Sequence, residues 1–314
     1  IILLMIIGEI VSNQKPVKGK SPKNFNITHT LFYKLFERFT LDGNYVSFNH
    51  SFFYLDNYIM EGKSSKGLKI YKVKDLEDKG KYPQVNPILP QPPFMMIGYG
   101  SVRSGKTNSL INMMRREDMY GTDYWDDVLV ISNTAGNDPK MYKFMGDAFR
   151  LEDHYENKMI DDLVAKQKSY DREDMPTQLL ILDDIISRDF KKSSSNAINS
   201  LATRFRHYEL SIMIFVQSAR AVSNMIRSNA TDILIYRQQS NMEWEKLQEE
   251  YSDLAPKNFE NYYKISQMER YNFLYIDAQQ NPAHFYSGFS ELIGIGDKML
   301  YKGKIPGDED EVFE

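Results

Sequence analysis

Cysteine is absent from all 314 residues, which excludes disulfides, thiolate metal sites and cysteine nucleophiles and suits a reducing intracellular compartment. Histidine is scarce as well, and five scattered residues do not suggest a histidine-rich metal centre. Positive charge is not in excess: the net charge of −4 gives no global attraction to nucleic acid, so any DNA contact must come from local basic surface. The apolar run Ile1–Ile7 is ended by Gly8 and Glu9, far short of the ~20 residues a membrane span needs. It also lacks the basic start and small-residue cleavage site of a signal peptide. The run reads as a core strand or helix, and no integral membrane segment is expected.

What is present is apolar material for a sizeable core. With 42% hydrophobic residues, the chain can form one large α/β domain with an appendage, or two domains. Lys15, Lys18, Lys20 and Lys23 lie among Pro, Gly, Ser and Asn, as in a solvated arm. Leu31, Phe32, Leu35 and Phe36 then recur at helical spacing, and aromatic-rich segments follow from Tyr45 to Tyr71. This predicts a small α+β appendage. Five of the twelve prolines fall between Pro83 and Pro93 and mark a boundary. The expected layout is an appendage and Pro-rich linker over 1–90, a nucleotide-binding domain over 91–304 and an acidic tail over 305–314.

Gly100-Ser101-Val102-Arg103-Ser104-Gly105-Lys106-Thr107 has the form of a Walker A loop, with Asn108 following it into the next helix. Phe94–Ile97 is a short apolar run before it, and Leu110, Ile111, Met113 and Met114 recur at helical spacing after it. Glycines let backbone N–H groups curl around a phosphate, and the helix N-terminus adds partial positive charge. In that reading Lys106 reaches the β- and γ-phosphates of ATP and the Thr107 hydroxyl ligates Mg²⁺. An ordinary glycine-rich turn shares the pattern; a second motif separates the two.

That motif is Leu179-Leu180-Ile181-Leu182-Asp183-Asp184, a Walker B form in which an apolar strand delivers acids to the carboxyl end of a sheet. Asp183 would hold Mg²⁺ through water, and Asp184 would orient or deprotonate the attacking water. Further apolar runs at Asp127–Ser132, Ser211–Gln217 and Asp232–Tyr236 alternate with helical patterns, the signature of a parallel sheet built from βαβ units. Two helices, Met242–Tyr251 and Asn258–Gln267, and a hairpin of Asn272–Asp277 with His284–Gly288 are expected beyond them. The region between Ser132 and Asp174 reads as polar with helical stretches.

The block from Leu201 to Gln217 (LATRFRHYELSIMIFVQ) resembles the arginine, strand and glutamine block of the FtsK/HerA superfamily. The Arg206-His207 pair, the paired acids and Ile226–Arg237 are most similar to its viral DNA-packaging ATPase branch. The resemblance covers about Phe94 to Arg237. It implies a RecA-like additional-strand P-loop NTPase, α/β with a central mainly parallel sheet flanked by helices. In such folds the strand ending at Gln217 lies between the P-loop and Walker B strands, where the amide senses the γ-phosphate or the lytic water. It further implies that Arg206 is an arginine finger inserted into a neighbouring subunit's site, with Arg204 the competing candidate. Arg103 departs from the small residue expected within the loop, and its cation is expected to point to solvent rather than to phosphate.

The implied activity is ATP hydrolysis driving double-stranded DNA into a capsid, with ATP and Mg²⁺ as cofactors and a homo-oligomeric ring as the working form. Capsid vertex or membrane proteins are implied partners, and the virion or a cytoplasmic virus factory is the implied location. A cellular-type translocase or helicase and a non-hydrolysing assembly scaffold are the alternatives. Between Arg188 and Arg227, seven Lys or Arg residues against two acids form a local basic zone suited to sequence-independent phosphate contact. Lys191–Ser195 forms a polar loop within it.

Overall fold

The computed structural model describes residues 82–134, 139–146, 148–185 and 196–306. The expected appendage up to Lys81, the loop at Lys191–Ser195 and the acidic residues from Gly307 lie outside the described residues.

Ten strands form one sheet: β1 (Met95–Tyr99), β2 (Asp127–Ser132), β3 (Arg150–Glu152), β4 (Gln178–Asp183), β5 (Leu210–Val216), β6 (Asp232–Tyr236), β7 (Phe273–Asp277), β8 (His284–Ser287), β9 (Glu291–Ile295) and β10 (Lys298–Met299). Their order is β10-β9-β8-β7-β6-β1-β5-β4-β2-β3. From β6 to β3 every neighbouring pair is parallel, and from β6 to β10 every pair is antiparallel. Each core strand of the parallel half is a nearly uninterrupted apolar run because both of its faces are covered.

The two faces carry separate cores. On one, Ile97, Tyr99, Leu182, Ile214 and Ile235 pack with α2 (Asn157–Lys168), α3 (Ala197–Ala202), α4 (Asn224–Ser228), α5 (Asn241–Tyr251) and α6 (Phe259–Ser266). On the other, Met96, Ile181, Met213, Phe215 and Leu234 meet Leu110, Met113 and Met114 of α1 (Lys106–Arg115). Alternation at period two sends neighbours on each strand to opposite cores. The architecture is therefore the expected additional-strand α/β P-loop fold, with β5 between β1 and β4.

The proline-rich entry to the domain is tied to the second core. Tyr124 and Tyr120 donate their hydroxyls to the carbonyls of Pro83 (3.0 Å) and Pro90 (2.7 Å). Phe94, Tyr120, Tyr124 and Trp125 form an aromatic cluster, and Leu89 is buried. Two features differ from the expected elements. Arg150–Glu152 is an edge strand within the stretch read as polar and helical, and β9 and β10 extend the hairpin.

One carboxyl is buried at the start of β6, the end of the sheet away from the Walker loop. Asp232 accepts from Tyr275 (2.8 Å) and Thr231 (2.6 Å), and burial pushes its pKa up to about 7, with Asp277 adding to the rise. Tyr120 also senses this carboxyl through space. A carboxyl with a raised folded pKa contributes stability that is complete below its unfolded pKa and is lost as pH rises through the folded value. Stability attributable to Asp232 therefore falls by roughly 4 kcal/mol between about pH 4 and 7. Denaturant titrations at several pH values should give Asp232→Asn a flatter profile than the native chain over that window, and parallel profiles would contradict the assignment.

Candidate functional site

In parallel α/β sheets ligands bind at the carboxyl ends of the strands, and the predicted residues converge there. Backbone hydrogen bonds stitch the segments together. Gly100 N donates to Val216 O at the end of β5 (3.1 Å), Ser101 N to Arg237 O just past β6 (3.3 Å), and Asp184 N to Phe215 O (2.9 Å). The Walker loop, the paired acids and Gln217 are thus held by main-chain contacts to one another's strands.

The loop opens directly into α1. Gly105 caps this helix with φ +111°, a conformation that strains any side chain, while Lys106 begins its first turn. Gly100 is required by space, since a Cβ there would lie 2.5 Å from Ser104 Oγ and 2.6 Å from Tyr236 Cβ. Val102 and Arg103 form the exposed tip, with Arg103 at φ +62°. Ser104 and Lys106 are buried, Thr107 is partly buried and Asn108 is exposed.

Lys106 folds back over the loop, donating to Gly100 O (2.7 Å) and Ser101 O (3.2 Å). Burial lowers its pKa, and the charges of Asp184 and Asp183 partly offset that fall. The ammonium is therefore bonded to the loop carbonyls and feels the charge of both acids. That arrangement fits a nucleotide triphosphate: Gly105 opens a helix whose N-terminus carries partial positive charge, and a buried cation stands within the loop. Thr107 and Asp183 are the residues that would hold Mg²⁺. A nucleotide-bound Mg²⁺ takes most of its ligands from phosphates and water, so a cluster of three protein carboxylates is not required.

Asp183 is the last residue of β4 and is buried. Asp184 follows at φ +50°, a costly conformation for a non-glycine residue. Gln217 donates its amide Nε2 to Asp184 Oδ2 at 3.3 Å. The amide and the second acid are thus directly joined, at the edge where the Walker loop lies.

Arg206 and Arg204 are not part of this cluster. They precede β5, whereas Gln217 follows it, and seven residues at ~3.3 Å each separate the two ends by about 20 Å. Both arginines are exposed, and the Arg206 guanidinium lies over the ring of Phe205 at 5.5 Å. Within the basic zone, Arg227 is turned inward: it pairs with Glu250 (3.0 Å) and its side chain is 7% exposed, so it is not available as a surface cation.

Three residues beside the loop were not anticipated. Gln239 N donates to Ser101 Oγ (2.8 Å), Gln238 Nε2 donates to Tyr99 O (3.2 Å), and Tyr271, at φ +67°, would lie 3.2 Å from a Cβ on Gly105. Their signal was positional: Gln238 and Gln239 follow β6, the strand beside β1. Because Gly100 has no room for a methyl group, Gly100→Ala should destabilise the fold by about 1–3 kcal/mol in denaturant titration, and an unchanged midpoint would contradict the packing described.

No family model matches the chain. It is 30% identical over 138 residues to the uncharacterised protein 075L of Invertebrate iridescent virus 6, a match covering 42% of this chain and 52% of the relative. The chain thus spans about half the length of the curated relative it matches. Among solved structures, it is similar to the DNA-packaging ATPase B204 of Sulfolobus turreted icosahedral virus. That similarity has 16% identity and a TM-score of 0.46, and it covers 62% of this chain and 97% of that one. Similarity to the pCW3 conjugation coupling protein TcpA is lower, with 12% identity and a TM-score of 0.36 over 48% of this chain and 51% of that one.

Proposed function

We propose that this chain is an FtsK/HerA-type P-loop ATPase of the viral packaging branch. It hydrolyses ATP to ADP and phosphate at sites shared between copies of a ring and drives double-stranded DNA into a capsid. The observation that carries hydrolysis is the Gln217–Asp184 hydrogen bond at the carboxyl edge of the sheet, where the Walker loop and buried Lys106 also lie. A loop that only bound phosphate would not need an acid in a strained backbone conformation joined to an amide at the end of the inserted strand.

The roles follow from chemistry. The loop Gly100–Asn108, through those of its amides not bonded to Val216, Arg237 or Ser101, and the Lys106 ammonium neutralise the β- and γ-phosphates. Thr107 and Asp183 would hold Mg²⁺, which would supply charge neutralisation at the phosphates when bound. Asp184 accepts a proton from, or orients, the attacking water, and Gln217 fixes Asp184 while sensing the γ-phosphate. Arg206 lies at the far end of its own sheet and serves a neighbouring copy, where its guanidinium stabilises charge developing on the transferred phosphoryl group. Arg204, Arg220, Lys191 and Lys192 provide phosphate contacts for duplex that need no base reading. The viral setting accords with the iridescent-virus relative. Capsid vertex or membrane proteins would anchor the ring, in the virion or the virus factory. In this reading the segment 1–90 is an amino-terminal appendage and a Pro-rich linker, and the linker from Tyr82 is tied to the domain.

Steady-state ATP turnover tests the enzyme reading. The native chain should turn over ATP faster with duplex DNA, and Lys106→Ala and Asp183→Ala should each lower turnover by roughly a hundredfold or more. Nucleotide binding without turnover in any condition would mean a scaffold instead. Mixing Arg206→Ala with Asp184→Asn subunits should restore activity at junctions that pair an intact arginine with an intact acid. Failure to recover in demonstrably mixed assemblies would remove Arg206 from the site.

A further inference from the structure

Helix α5 begins four residues after Arg237 and carries Glu243 in its first turn. Its start, Ser240-Asn241-Met242-Glu243, has the sequence of a capping box, in which the glutamate would fold back onto the N-cap amide. The structure uses that carboxylate differently. Glu243 Oε1 accepts from the Ser218 hydroxyl (2.9 Å), and Oε2 accepts from Ala219 N (3.2 Å). Among the described residues, the Ser240 side chain makes no capping bond either. A carboxylate is thereby committed to the two residues that immediately follow Gln217.

The same helix holds the other end of that loop. Arg227 pairs through Nε with Glu250 on α5, and its Nη1 donates to Ala219 O (3.1 Å) and Val222 O (2.6 Å). Ser218 Oγ also accepts from Arg220 N (3.2 Å), which turns the chain away after the clamp. Residues 218–227 are thus secured to α5 at both ends, and Gln217 projects from the fixed side of the loop towards Asp184. Upstream of α5, Gln239 N holds Ser101 of the Walker loop. One short segment, Gln239 to Glu243, therefore touches both the phosphate loop and the support of the sensing amide.

We infer that Glu243 is a positioning residue for the Gln217–Asp184 pair, fixing the amide through its paired hydrogen bonds to Ser218 and Ala219. This rests on the hydrolytic reading above and adds to it a residue that would touch neither nucleotide nor water. A carboxylate that accepts from two donors on adjacent residues, at 2.9 and 3.2 Å, fixes the direction of the chain where Gln217 leaves it. Loss of the clamp leaves phosphate binding intact and loosens only the geometry of the chemical step, where small misplacements are costly.

The experiment is a double-mutant cycle on duplex-stimulated ATP turnover by the full chain. Glu243→Ala should lower kcat by roughly tenfold or more, with KM for ATP changed by less than about threefold. Placed on Gln217→Ala, it should lower kcat no further, because the residue it positions is already gone. Ser218→Ala, which removes one of the two bonds together with the bond that Ser218 Oγ accepts from Arg220 N, should give an intermediate loss. Glu243→Gln, which keeps one acceptor, should recover part of kcat if Glu243→Ala folds poorly. Native kcat in Ser218→Ala and Glu243→Gln, or an equal loss from Glu243→Ala with and without Gln217, would overturn the inference while leaving the hydrolytic reading in place. Absence of turnover in the native chain would overturn both.

Discussion

The insertion of β5 between β1 and β4 is the constraint on which the site depends. It places the end of the amide-bearing strand directly between the phosphate loop and the acids, and the joints are backbone hydrogen bonds: Gly100 N to Val216 O on one side, Asp184 N to Phe215 O on the other. Strands buried on both faces cannot shift register without moving apolar side chains into the wrong core, so this arrangement is rigid at the scale that chemistry needs. The helices on either face act as the mass that keeps the edge in place. Side chains at the edge then need to adjust only their last torsions.

Among the described residues, three of the four non-glycine residues at positive φ lie at that edge; the fourth, Glu209, precedes β5 at the other end. Gly105 tolerates its left-handed conformation without cost, but Arg103, Asp184 and Tyr271 adopt positive φ as non-glycine residues. Each such residue costs on the order of 1 kcal/mol or more and persists because the surroundings over-determine it. For Asp184 the surroundings are its own amide bond to Phe215 O and the incoming bond from Gln217. Lys106 adds an electrostatic element, a cation whose proton is made less secure by burial and more secure by the two acids. Loop, acid and amide therefore form one stressed unit fastened to an unstressed sheet.

Much of this was legible in the chain because parallel strands announce themselves as short continuous apolar runs. Asp127–Ser132 and Asp232–Tyr236 are strands with the expected bounds, and the paired acids stand at the end of β4 as the Walker B form requires. The place of Gln217 came from the resemblance rather than from periodicity, since a glutamine ending a strand is commonplace by itself. What was not legible has physical reasons. β3 is three residues at a sheet edge with no buried residue, so it carries no alternating pattern, and β10 is only two residues long. Arg227 looks like any surface cation in sequence; only the fold brings Glu250 to it from α5. Glu243 was hidden for the same reason, because a glutamate three residues after a serine reads as a cap.

Arg206 marks what the proposed site would take from a neighbouring copy. Its own strand carries Gln217 to one edge of the sheet and leaves Arg206 beyond the opposite end, so a single copy does not bring the two together. A site completed by a neighbour must lose activity when copies separate. The most direct measurement is ATP turnover per chain across a dilution series, alongside the sedimentation of the same samples. Specific activity that falls as assemblies give way to monomers is the predicted result, and constant specific activity down to fully monomeric protein would contradict the shared site.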